Sequence, residues 1–72
     1  MVAAGDLFKV HTKKYGWYVD VEGRNSACME PDDLLLVLTS DQSSNSCVIV
    51  HNGHKSVIDK HVLWQIARLE KP

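Results

Sequence analysis

Asn52-Gly53 lies between two strand-like runs, residues 47–51 and 55–58, and constrains the fold more tightly than any other feature of the chain. A two-residue type I′ turn needs positive φ at both central positions, which Asn and Gly adopt at the least cost. The pair therefore predicts a tight antiparallel hairpin with φ > 0 at Gly53. It also sets the register: His51 stands opposite His54, and Cys47, Ile49, Ser56 and Ile58 share their face.

A lone hairpin is only marginally stable in water, so further strands are required. Residues 6–11 (Asp-Leu-Phe-Lys-Val-His) read as a first strand, and residues 34–39 as a strong central one. Residues 17–22 alternate, with Trp17, Val19 and Val21 on one face and Tyr18, Asp20 and Glu22 on the other. They form a half-buried strand or one arm of a long irregular hairpin. Loops are expected on the surface at residues 12–16, 23–30 and 40–46. Residues 60–69 leave two readings open. Val62, Ile66 and Leu69 fall at i, i+4 and i+7, as on a short helix. The β-branched and aromatic content suits a single helical turn at 59–62 followed by a strand over 64–69. Either way the expected class is all-β: a small barrel of about five mostly antiparallel strands with one short helical turn.

Size sets the limits on function. The chain has 72 residues, read as a single domain over 1–72, and a domain this small buries only about 60% of its unfolded surface. That leaves little room for a deep catalytic cleft. Lys plus Arg number 8 and Asp plus Glu 9, for a net charge of −1. A free-standing nucleic-acid binder normally carries a basic excess. The two cysteines, Cys28 and Cys47, are too few for a disulfide scaffold, and free thiols in a reducing compartment are expected. The longest apolar run is residues 34–38, far short of the roughly 20 residues that cross a bilayer. Residues 1–5 are too short for the apolar region of a signal peptide. The expected location is cytoplasmic.

The order of strands, the Ser-rich loop at 40–46, the Asn-Gly turn and the helical turn before a last strand resemble a small SH3-like β-barrel. The run from Cys47 to Ile66 (CVIVHNGHKSVIDKHVLWQI) carries most of the likeness, which extends over residues 5–70. Gly5-Asp6-Leu7 and Asp32-Asp33-Leu34-Leu35 resemble the strand starts of bacterial SH3-type domains and phage-encoded SH3-like proteins. The resemblance implies a non-enzymatic interaction or assembly module, as in a phage or bacterial accessory protein. Ser56-Val57 stands where many bacterial SH3 domains have Gly-Trp. The aromatic motifs of the eukaryotic polyproline groove are missing, so that activity is not carried over. The barrel hosts many unrelated functions.

Candidate sites are sparse. Tyr15, Trp17 and Tyr18 cluster near the first loop, and Trp64 follows the helical turn. In an SH3-like barrel these places adjoin, and exposed aromatics there make a binding groove for a peptide or a stacked base. The competing use is core packing, since the chain has only two Trp, two Tyr and one Phe. His51 and His54 are spaced for two ligands on one metal. A structural zinc wants four, however, and no Cys-x-x-Cys appears. No cofactor is expected. Neither cysteine has a local activating group, which argues against thiol catalysis and against an enzyme. Lys13, Lys14 and Tyr15-Gly16-Trp17 resemble the basic-aromatic strand of a cold-shock barrel, the alternative reading. Against it, residues 20–33 carry five acids and one Arg, which repel phosphate.

One excess remains. Residues 34–38 and 47–50 are apolar at every position, although a strand with one buried face alternates. If Leu34, Leu36 and Leu38 are inside, Leu35 and Val37 face out; if Val48 and Val50 are inside, Cys47 and Ile49 face out, or the reverse. Something must cover Leu35, Val37, Cys47 and Ile49: the arm at residues 1–4, the segment from Trp64, or another chain. A protein partner or a second copy is the expectation.

Overall fold

In a computed structural model the chain is described over residues 2–12, 18–20 and 29–70, with 18–20 as backbone only. The expected hairpin is present. Strands β4 (Ser46–His51) and β5 (His54–Asp59) pair antiparallel, with His51 opposite His54. Asn52 and Gly53 have φ of 51° and 80°, both left-handed, as the turn requires. A side chain added at Gly53 would meet open space, so only backbone strain restricts that position.

The remaining strands are β1 (Leu7–Val10), β2 (Tyr18–Asp20), β3 (Leu34–Ser40) and β6 (Ala67–Glu70). A seven-residue helix, α1 (Lys60–Ile66), precedes β6. All six strands form one antiparallel sheet in the order β2-β5-β4-β3-β1-β6. The sheet is open, with β2 and β6 at its two ends. Among the described residues the count is six rather than about five, because residues 18–20 pair with β5 as a strand of their own.

The C-terminal segment combines the two readings left open. Asp59 is extended and caps α1, its Oδ1 accepting from the His61 amide at 2.7 Å. Leu63 and Ile66 point into the core, and Ala67 returns to extended backbone. Leu63 and Ile66 supply the buried stripe of the helix, and Val62 and, from β6, Leu69 pack against the core beside them, partly buried.

Two turns set the ends of β3. Pro31 and Asp32 form a turn closed by the Asp33 amide on the Glu30 carbonyl, 3.1 Å. Asp32 there has φ of 74°, a conformation that Asp tolerates better than most residues. The Asp32 amide donates to the Val10 carbonyl and the Val10 amide to that of Asp33, which extends the β1–β3 pairing. At the far end the register slips between Val37 and Thr39, a bulge with Leu38 as the extra residue. The slip brings Ser40 opposite Cys47, and the Ser40 hydroxyl donates to the Val2 carbonyl at 2.8 Å.

The core comprises Val2, Phe8, Val10, Met29, Leu35, Val37, Cys47, Ile49, Ile58, Leu63, Ile66 and Ala67. Met29 is buried, so the expected surface loop at 23–30 does not hold at that residue. Residues 41–45 are exposed, as expected. They are shaped by Asp41, whose Oδ1 accepts from both the amide and the hydroxyl of Ser43. The Lys60 ammonium pins this loop to the helix start by donating to the Asp41 carbonyl at 2.6 Å.

Two substitutions test this architecture by urea denaturation. Gly53→Val should destabilise by about 1–2 kcal/mol, from left-handed strain alone, with Gly53→Asn costing clearly less. Leu35→Ala should cost about 2–5 kcal/mol, as expected for a fully buried leucine.

Candidate functional site

Strand parity sorts the side chains into two faces. On β3, Leu35 and Val37 are buried while Leu34 and Leu36 are 51% and 39% exposed. On β4, Cys47, Ile49 and His51 are buried, and Val48 and Val50 are half-buried. On β5, Ser56 and Ile58 are buried, and Lys55 and Val57 are exposed. The face assignment made from sequence is therefore reversed. Leu35, Val37, Cys47 and Ile49, expected at an outer interface, line the core instead. The reason lies in the elements that cover them. Val2 enters the core from the N-terminal arm, and Leu63, Ile66 and Ala67 enter it from α1 and β6. These segments all close over the face that carries Leu35 and Ile49.

The opposite face is the candidate site. The register aligns its side chains in rows across the strands. One row runs Glu70, Leu7, Leu36, Val50, Lys55 over β6, β1, β3, β4 and β5. A second places Thr39 and Val48 beside Val57. Leu34, Lys9 and Arg68 form a third. The centre of this face is aliphatic, with Leu34, Leu36 and Val57 as its most exposed members. Its margin is charged: Lys9 and Glu70 form a loose pair at 3.9 Å, each 45% exposed. Such a pair adds little to stability. A surface hollow of about 420 Å³ adjoins that margin, and Lys9, His11 and Arg68 line it together with Asp32 and Glu70. Its charges are of both signs.

The aromatic cluster expected from sequence is met only in part. Tyr15 and Trp17 lie outside the described residues, and Tyr18 is placed by its backbone alone, opposite Ile58. Trp64 is 43% exposed, and its ring meets the fully buried Phe8 edge to face, with centroids 4.9 Å apart. That contact makes Trp64 a cover for the core with one free side.

His51 and His54 are opposite one another but differ in their surroundings. His54 is exposed, whereas His51 is buried and donates from Nε2 to Asp33 Oδ2 at 2.8 Å. The same oxygen accepts from the Glu30 amide at 3.0 Å. The hydrogen bond from His51, and then that from Glu30, holds the Asp33 carboxyl below its ordinary value of 3.8. Asp33 was not singled out from sequence. Only the fold brings it to His51, 18 residues away. No group of three or more His, Cys, Asp or Glu residues among those described could hold a metal ion. Cys28 lies outside the described residues. Cys47 is a buried free thiol, and burial raises its pKa, the opposite of what a nucleophile needs.

Compared with protein-family models, curated proteins and solved structures, the chain matches none.

The Asp33–His51 contact has a pH signature. A carboxyl with a depressed folded-state pKa contributes stability that is present above its unfolded value. That stability is lost as pH falls through the folded pKa. Asp33→Asn should destabilise at neutral pH by about 1–2 kcal/mol. Its urea midpoint should also fall less steeply than wild type's on acidification below 3.8. Parallel pH curves would show that the contact contributes nothing.

Proposed function

We propose that this chain is a non-enzymatic interaction or assembly module, built on an SH3-like barrel, that docks through the outer face of its sheet. The linear order β5-β4-β3-β1-β6, with a short helix between β5 and β6, supports the SH3-like reading. One observation carries the docking reading. Among the described residues, the N-terminal arm and the segment from α1 onward both pack on the inner side. Leu34, Leu36 and Val57 thus remain exposed beside half-buried Leu7, Val48 and Val50. A contiguous apolar patch with a charged margin is the usual mark of a protein contact.

The test is a photo-reactive side chain placed at Leu36, or at exposed Gln65 on α1 as a control, in cells of the source organism. An adduct formed from position 36 and not from 65 is the expected outcome. Equal labelling, or none at 36, would count against docking through this face.

A further inference from the structure

The row Glu70–Leu7–Leu36–Val50–Lys55 has a property beyond being apolar. Over five of the six strands it places an acid on edge strand β6, a base on β5 (the strand next to the other edge, β2) and three aliphatic side chains between, with β3 at the centre of these five. We infer that the partner of this face is a second copy of the chain, packed face to face about a two-fold axis that runs along β3. This rests on the docking reading above.

The geometry follows from the register. A two-fold axis lying in the interface, parallel to β3, leaves β3 on itself and exchanges the strands on either side of it. Leu36 then meets its own copy. Leu7 of one chain lies over Val50 of the other, and Glu70 of each chain lies over Lys55 of the other, giving two symmetric ion pairs. The neighbouring row sets no like charges against one another. Lys9 and Arg68 come to lie over the Asn52-Gly53 turn of the other copy, which carries no charge. An axis across the strands would set each row end over its own kind and has no such complementarity.

Distances fit this arrangement. Four strand-to-strand steps of about 4.8 Å, about 19 Å measured along the sheet, separate Glu70 from Lys55. The sheets are twisted and bow away from each other toward their edges. The middle of the row therefore needs compact side chains, and its ends need long ones that can span the wider gap. Leucines and valine sit in the middle; Glu and Lys sit at the ends. Glu70 is already half-exposed beside Lys9 and free to turn toward a second cation. The molecule measures 26 × 25 × 20 Å, so this contact uses most of one broad side and belongs to the small class of interfaces. The dimer should dissociate in the micromolar range.

The experiment is sedimentation equilibrium of the full chain from about 5 to about 300 µM, a range that brackets the dissociation constant of so small an interface. The expected mass rises from 8.1 kDa toward twice that value. Lys55→Glu and Glu70→Lys should each weaken association at least about tenfold, because each sets like charges against one another at both symmetric contacts. An equimolar mixture of the two single variants should associate again, as should the double variant within one chain. Circular dichroism of each variant checks that the fold is intact. A wild-type mass that stays at 8.1 kDa throughout would overturn the second-copy inference. So would a wild-type dimer indifferent to both charge reversals, or single variants that fail to associate when mixed. A constant 8.1 kDa together with a position-36 adduct to a different protein would leave the docking reading standing and reject the second copy alone. No adduct at all would reject both.

Discussion

The structure depends on the alternation of side chains along β3 and β4, together with the choice of which side the covering segments take. Both strands are apolar at every position, so either face could have formed the core. Val2, Met29, Leu63, Ile66 and Ala67 all arrive on one side, where Phe8, Leu35, Val37, Cys47 and Ile49 meet them. That side is buried. The other keeps its leucines and valines partly in water.

Local chemistry holds this arrangement in register. The type I′ turn at Asn52-Gly53 fixes β4 against β5, and the Pro31-Asp32 turn fixes the start of β3 against Val10. The bulge at Leu38 reverses parity for the last residues of β3. Ser40, and not Thr39, then faces inward and binds the backbone of the N-terminal arm. That hydrogen bond helps bring Val2 into the core. A one-residue change in register therefore contributes to closing the inner side.

The buried polar groups are satisfied. Among the described residues no buried side-chain nitrogen or oxygen lacks a hydrogen-bond partner. His51 is the most demanding of them, because it lies on the inner face at the end of β4, and Asp33 meets it from the start of β3. A histidine that the sequence pairs with His54 as a candidate metal ligand is part of the tie between two strands. Trp64 changes role in the same way: a candidate for a binding groove becomes a lid on Phe8.

The sequence by itself determined the local elements. Asn-Gly gave the hairpin and its positive φ, residues 59–62 and the spacing of Val62 and Ile66 gave a helical segment of open length, and the Ser-rich run gave an exposed loop. It also gave the grouping of Cys47, Ile49, Ser56 and Ile58 on one face, because register and a period of two suffice for that. It could not say which face. When both faces of a strand are apolar, alternation carries no sign, and the sign comes from distant segments whose docking no local pattern encodes. The Asp33–His51 contact was hidden for the same reason, since two polar residues 18 positions apart meet only once β3 and β4 are side by side. The tertiary structure made both decisions, by placing the N-terminal arm and α1 on the same side of the sheet.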